Sequence, residues 1–506
     1  MADTRDLVIG IDSSTTAAKA IACQRDGAIV AIGRSPIPLA SPGNNLYEQD
    51  PQDWWRSTCE ALRELLLQVA PELIAAVAIA NQRETFVALD AAGNAIRPAI
   101  VWLDQRCQAE VEWLTGITGD EAIHRISGKP PDIAPVAYRI AWMLRWEPQL
   151  FHATARFTDV HGYLTERLTG ACSTSWASAD PLGLFDMRRK IWSPEILDAL
   201  RLSGDRLPQL AAPGSAVGAV TESAAAACGL LAGTPVVAGG GDGQAAGLGV
   251  NALTPSRAYL NLGTAVVSGI YSPEYRIGTA WRTMGSCSGE GYYFETSLRA
   301  GTFLIDWFLR QIGQAPEGDR SLLSRLEAEA AAAPVGSHGL LTLPYWGAVM
   351  TPYWDPLARG SFVGFTASHR TGEMYRSVLE GIALEQAVVT GMIERQSGLQ
   401  VKELVAIGGG AASDLWCQII ADVTGKAVLR SATVEASGLG AAMCAAAGAG
   451  WFPTPAAAAQ CMCGPVTRIS APRPREHARY AELLAIYRDL YPQLRDTFAR
   501  LARFRD

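Results

Sequence analysis

A two-part α/β fold is what this sequence predicts, and three observations carry the prediction. Segments with strand character alternate with segments of helical spacing along the chain, which is the pattern of an α/β protein. The opening motif, a strand, a small polar turn and a second strand, recurs near the middle as a weak internal duplication. The 506 residues also exceed what one ordinary hydrophobic core organises. The second copy starts near residue 251, so the expected parts are 1–250 and 251–506.

The elements follow in order. L-V-I-G-I-D-S-S-T-T-A-A-K-A-I-A-C (7–23) reads as strand, polar turn, strand. Asp50 is placed to cap a helix with Pro51 at its first position. Trp55, Cys59, Leu62, Leu66 and Val69 then recur at helical spacing. L-I-A-A-V-A-I-A (73–80) predicts a buried strand, with N-Q-R-E-T (81–85) just past its end. The stretch 238–249, A-G-G-G-D-G-Q-A-A-G-L-G, sets one carboxylate among glycines. It reads as a tight turn, which Asp favours, or as a loop cleared for a ligand.

R-A-Y-L-N-L-G-T-A-V-V-S-G-I-Y (257–271) repeats the opening motif. A helix is predicted over 372–395 with Met374, Val378, Ile382 and Val389 inward. Gly381 within it costs about 1 kcal/mol relative to Ala and so points to close packing. E-L-V-A-I (403–407) predicts a strand leading into G-G-G-A-A-S-D (408–414) and another helix. The final helix presents Tyr480, Leu483, Leu484, Tyr487 and Leu494 to a core.

Apolar residues make up 49% and charged residues 18% of the chain, which suits a packed globular enzyme and excludes disorder. The net charge of −7, with no basic block, argues against a nucleic-acid partner. Ten cysteines at irregular spacing, without any C-x-x-C, predict reduced thiols and no zinc site. M-A-D-T-R-D-L-V-I-G shows no signal-peptide core, and Gly438–Trp451 is too short to span a bilayer. A cytoplasmic protein with no membrane partner is expected.

Several motifs are missing. The chain has no G-x-x-x-x-G-K-[ST], no H-E-x-x-H and no G-x-S-x-G; G-S-C-S-G (285–289) has Cys287 at the centre. The glycine run around Asp242 is one residue too long for a dinucleotide fingerprint and puts an acid where pyrophosphate would lie. What remains is a set of small-residue loops after strands: D-S-S-T-T (12–16), L-G-T-A (262–265) and G-G-G-A (408–411). Each alone is an ordinary turn. Three together, with isolated acids at Asp12 and Asp242, point to nucleotide phosphates held by backbone N–H groups and hydroxyls. Phosphoryl transfer needs such a cradle, a metal ion and a base for the attacking hydroxyl. Asp242 is the candidate base, with the glycines clearing space around it.

In this order the motifs resemble the FGGY carbohydrate kinases over nearly the whole chain. D-S-S-T-T-A-A-K is similar to the family's first phosphate loop and N-L-G-T-A to its second. G-G-G-D-G-Q-A-A-G-L-G resembles the catalytic-Asp loop, 408–425 the adenosine-site segment and E-A-S-G-L-G-A-A (435–442) the segment after it. The resemblance implies two actin-like, ribonuclease-H-type α/β domains with an interdomain cleft. Residues 1–250 would be the sugar-binding domain and 251–506 the nucleotide-binding one. It implies ATP and Mg2+, with Asp242 as base and Asp12 and Asp242 near the metal. Thr15, Thr16, Lys19, Gly263 and Thr264 would contact phosphates, and Gly409, Gly410, Ala411 and Asp414 would flank the nucleoside. A sugar or polyol is the implied partner, and a homodimer is compatible with the resemblance.

The substrate signals are mixed. N-Q-R-E-T (81–85) and T-P-Y-W-D-P-L-A-R-G (351–360) are similar to glycerol kinases, which makes Arg83 and Glu84 sugar-binding candidates, with Trp102 and Gln244 beside them. An exposed loop ion pair is the alternative for Arg83 and Glu84. Y-L-T-E-R-L-T-G (163–170) and P-L-G-L-F-D (181–186) are closer to xylulose kinases, although the M-H-G motif of those enzymes is absent. P-P-D-I-A-P (130–135) lacks the substrate-binding Tyr of glycerol kinases, and Gly243 separates Asp242 from Gln244. A four- or five-carbon ketose or polyol is the expected substrate class, with glycerol as the alternative. An actin-like ATPase and a non-catalytic sugar sensor are the readings from other classes.

Overall fold

The computed structural model describes residues 5–314, 316 and 321–504; the first four residues of the N-terminal stretch read for a leader lie outside them. In the first half, β1 (Leu7–Ser13), β2 (Ala17–Cys23), β3 (Ile29–Pro36), β4 (Ile74–Asn81), β5 (Ala216–Ala219) and β6 (Pro235–Gly241) form one sheet in the order β5-β6-β4-β1-β2-β3. β1 is antiparallel to β2, and β2 to β3, while β1, β4 and β6 run parallel. Three of the helices of this half bear on the argument: α1 (Pro51–Leu66), α2 (Val160–Thr169) and α3 (Asp242–Gly249).

The second half is built the same way. β7 (Arg257–Leu262), β8 (Val266–Ser272), β9 (Arg282–Gly285), β10 (Tyr292–Leu298), β11 (Glu403–Ile407), β12 (Ala427–Ser431) and β13 (Val466–Ser470) take the order β9-β10-β8-β7-β11-β12-β13. β7, β8 and β10 are successively antiparallel, and β7, β11 and β12 are parallel. Its helices include α4 (Thr371–Ser397), α5 (Asp414–Thr424), α6 (Ala436–Gly448) and α7 (Pro474–Leu501). The series β1-β2-β3-α1-β4-α2-β6-α3 thus repeats as β7-β8-β10-α4-β11-α5-β12-α6. The duplication legible in two strand pairs extends through eight elements.

α1 and α2 bury Trp54, Leu62, Leu65, Tyr163 and Leu168 against one face of the first sheet. Asp50 caps α1 as expected, its side chain accepting from Gln52 N. The expected inward stripe holds at Cys59 and Leu62 but not at its ends. Trp54 and Leu65 are fully buried, whereas Trp55, Leu66 and Val69 sit at the margin, and the helix ends before Val69. α4 is buried nearly all round, and a Cβ on Gly381 would come 2.3 Å from Thr342 O, which is the close packing its cost implied.

The other face of the first sheet is covered from far along the chain. Leu439, Ala442, Met443 and Ala446 of α6 pack on Val8, Ile21, Ala78 and Val237. α3 lies between α6 and the second sheet, with Ala246 against Tyr259, Val405 and Ile407. The two helices touch backbone to backbone: a Cβ on Gly440 would stand 1.9 Å from Ala245 O, and one on Gly249 2.1 Å from Ala436 O. Small residues are therefore obligatory at this crossing. All ten cysteines are free thiols. Among the described residues no helix is long and apolar enough to cross a membrane.

Candidate active site

Asp242 is not a turn residue. The glycine run is the end of β6 and the start of α3, with Asp242 at the first helical position after Gly241. The glycines make room chiefly for the protein itself. A Cβ on Gly241 would meet Arg83 Cδ at 2.5 Å, and one on Gly243 would approach Arg83 Nη2 at 3.0 Å. They admit an arginine beside the carboxylate.

Arg83 leaves the end of β4 and is buried. Its Nε lies 3.0 Å from Asp242 Oδ1, and its Nη1 donates to Glu295 Oε1 and Oε2 at 3.0 and 2.8 Å. Glu295, on β10 of the second half, is fully buried and also receives Arg282 and the hydroxyl of Tyr259. Arg282 Nη1 donates to Glu84 Oε1 at 2.6 Å. Glu84 and Arg83 are thus neither exposed nor paired with each other. They belong to a chain, Glu84–Arg282–Glu295–Arg83–Asp242, that crosses between the halves. Glu84 also adopts φ +49°, a left-handed conformation uncommon for a side chain of its size.

The electrostatics follow from that chain. Burial alone would push the Glu295 carboxyl up; Arg83 and Arg282 overcome it and hold it down at about 2. Asp242 moves the other way. Withdrawal from water at the cleft floor raises it although the side chain is 39% exposed, with Arg83 and the Gly243 N–H pulling it back. Asp12, at the end of β1, is raised to about 7 by burial and then by the neighbouring charge of Asp242, against the pull of Lys19. Its Oδ1 is buried with no hydrogen-bond partner.

Other expected residues fall around this centre. Trp102 Nε1 donates to Thr15 Oγ1 at 2.8 Å, joining the pocket wall to the first polar turn. Gln244 is engaged by the protein at both ends of its amide. It is fully buried, donates to Ala177 O and Asp180 Oδ1, and accepts from Arg83. Lys19 pairs with Glu435 at 2.9 Å, and Asp414 at the start of α5 is held by Arg430 and Arg468. Gly263 and Thr264 form the β7–β8 turn, closed by bonds from Thr302 N and Gly301 N. Gly409, Gly410 and Ala411 lie in a single 3-10 turn after β11.

Arg282, Glu295, Tyr259 and Arg139 were not singled out from the sequence. Arg139 is buried and donates to the carbonyls of Glu84, Trp102 and Ala134, stitching one wall of the pocket. Among the described residues Arg83 Nη2, Glu84 Oε2 and Asp242 Oδ2 make no hydrogen bond to another residue. One donor and two acceptors left over in one cluster are matched to hydroxyl groups.

Comparison with known proteins places this arrangement. The model for the N-terminal domain of the FGGY family of carbohydrate kinases matches residues 7–249, and that for its C-terminal domain residues 258–449. A xylulose kinase of Bacillus subtilis (strain 168) is 31% identical over 508 residues, covering 98% of this chain and 99% of its own. A glycerol kinase of Citrifermentans bemidjiense is 31% identical over 474 residues, covering 90% and 92%. Among solved structures, a gluconate kinase from Lactobacillus acidophilus superposes with a TM-score of 0.91 at 24% identity, covering 98% of this chain and 99% of its own. That last likeness concerns the fold.

Proposed function

We propose, on the premise that this chain belongs to the FGGY family of carbohydrate kinases, that it moves the γ-phosphoryl group of ATP to a hydroxyl of a four- or five-carbon ketose or polyol. Phosphorylation of a sugar follows from the family and from full-length similarity to a xylulose kinase. The finer reading is carried by the three unpaired atoms around Asp242. Asp242 Oδ2 takes the proton of the attacking hydroxyl, while Arg83 Nη2 and Glu84 Oε2 hold its neighbours. The absence of Tyr from 130–135 supports a chain longer than glycerol.

The duplicated topology supports the placement of ATP. The β1–β2 turn with Thr15 and Thr16 and the β7–β8 turn with Gly263 and Thr264 are equivalent hairpin turns, suited to grip phosphates from two sides. Gly409, Gly410 and Ala411 then sit beside the nucleoside, with Asp414 at the rim. The division near 250/251 is supported by the strands of the two sheets, which lie within 7–241 and 257–470. Asp12 and Asp242 fit Mg2+: Asp12 offers an unpartnered buried oxygen and lies within the field of the Asp242 charge. Two carboxylates with water and phosphate oxygens are what Mg2+ usually takes. When bound, the ion offsets phosphate charge.

The test is ADP release with Mg-ATP against glycerol, erythritol, D-xylulose, D- and L-ribulose, the pentitols and L-fuculose. The strongest response is expected from a four- or five-carbon member. A response to glycerol alone would overturn the substrate reading.

A further inference from the structure

We propose that the groove between α4, the end of α5 and α7 binds a phosphate monoester, at a site separate from the one around Asp242. The groove has a volume of about 360 Å³, within the usual range for small-molecule sites. It lies at the far end of α5 from the Gly409–Ala411 turn: Asp414 starts that helix beside the turn, and Thr424, which ends it, lines the groove. Eleven residues at 1.5 Å each put roughly 16 Å between the two ends. One wall is α7, which lies beyond the residues 258–449 matched by the family's C-terminal domain. The proposal concerns binding alone and stands apart from the sugar-kinase reading.

Two arginines line the groove, Arg395 of α4 and Arg488 of α7, and neither forms an ion pair or a hydrogen bond with another described residue. A Cβ on Gly391 would stand 3.3 Å from Arg395 Nη1 and 3.8 Å from Arg488 Nη2, so the two guanidinium groups converge on one point above α4. Glu394, the one carboxylate lining the groove among the described residues, is engaged elsewhere: Lys426 Nζ donates to it at 2.6 Å and Val401 N at 2.9 Å. Like charges brought together repel, and guanidinium groups left without a carboxylate beside a cavity are suited to an oxyanion. Gly391 is the second observation. It sits inside a 27-residue helix, where glycine is unfavourable relative to alanine. Gly381 on the same helix is required, because its Cβ would strike Thr342 O; at Gly391 a Cβ would meet only the movable ends of the two arginines. The absent side chain therefore serves the groove rather than the packing, leaving its floor open below the guanidinium pair. A dianionic phosphate monoester offsets both charges and gives each fork an oxygen, whereas a carboxylate offsets one. Ala387, Ala481 and Leu484 supply apolar walls for the ester's carbon body.

The test is calorimetric titration of the full chain with glycerol 3-phosphate, in the wild type and in Arg395→Met, Arg488→Met, Gly391→Leu and Asp242→Asn. The wild type should show saturable binding, and each arginine variant should weaken it about 10-fold, the loss of one charge-assisted partner. Gly391→Leu should weaken it as well while keeping a melting temperature at or above that of the wild type, since leucine favours the helix more than glycine. Asp242→Asn should bind as the wild type does. No binding by the wild type, or binding that both arginine variants leave unchanged, overturns the proposal. Loss of binding in Asp242→Asn alone also overturns it, assigning the ester to the cleft at Asp242. Acetate bound as tightly as glycerol 3-phosphate would overturn the phosphate class. A wild-type protein that phosphorylates no sugar or polyol yet binds the ester through Arg395 and Arg488 overturns the kinase reading and supports this site.

Discussion

The loops 81–85 and 408–412 occupy the same place in the duplicated fold, one after β4 and the other after β11, yet they are built in opposite ways. The first carries Arg83 and Glu84, both buried and both bonded into the other half. The second is G-G-G-A-A, with almost no side chain to offer. One strand-end position can therefore bind through charged side chains or through bare backbone. The difference suits what each half is proposed to hold: hydroxyls, which need directed donors and acceptors, or a flat nucleoside, which needs close approach. It also predicts very unequal sensitivity to mutation.

The largest effect should fall beside the charged loop. Asp242→Asn should fold and bind ATP while turnover drops about 10²- to 10⁴-fold, the range for a lost general base; near-normal turnover would remove Asp242 from that role. Arg83→Ala should raise the sugar KM. It should also lower unfolding free energy by about 3–5 kcal/mol, since Glu295 is left buried with one counter-charge fewer. Denaturant titration and initial rates would check both, and a shift in the ATP KM alone would detach Arg83 from the sugar.

A third prediction contrasts two acids of the second half. Glu385 on α4 is also buried but, among the described residues, hydrogen-bonds only to the hydroxyls of Tyr345 and Tyr487, and burial raises it from 4.5 to about 7. The folded state then holds a proton that the unfolded state releases, so this group makes stability fall as pH rises from about 4.5 to 7. Glu385→Gln should remove that slope, on the order of 3 kcal/mol by pH 7, measured as melting temperature against pH. An equal slope in both proteins would mean that Glu385 titrates normally.

The smallest effects belong to the glycine loop. A Cβ on Gly410 would meet Trp416 at 2.4 Å, so Gly410→Ala should cost about 1–3 kcal/mol by overpacking. Gly409 has nothing within 4 Å, and Gly409→Ala should leave stability within about 0.5 kcal/mol. If it nevertheless raises the ATP KM, bare backbone at 409 is the binding surface; an unmoved ATP KM would separate this loop from the nucleoside.

Much of this contrast was legible in the sequence. The Asp50-Pro51 cap, both strand–turn–strand motifs, the 81–85 loop and Asp242 are local signals, fixed by neighbours within a few residues. Trp54 and Trp55 are adjacent, so spacing alone could not say which of them faces inward. Glu295 and Arg282 stayed hidden for a different reason. They sit on strands, where an isolated charge reads as the solvent side, and only contact between the halves buries them. Gly438–Trp451 betrayed its small residues but not that they cover the other half's sheet. Distant partners leave no periodicity.

That last helix has a practical consequence. The chain cannot be cut at its apparent midpoint into two independently soluble pieces. A fragment ending at Gly249 would keep all six strands of its sheet and lose the lid of one face, leaving Val8, Ile21, Ala78 and Val237 without α6. Split-protein reporters or circular permutants of this fold should therefore carry 436–448 with the first sheet, whichever polypeptide supplies it.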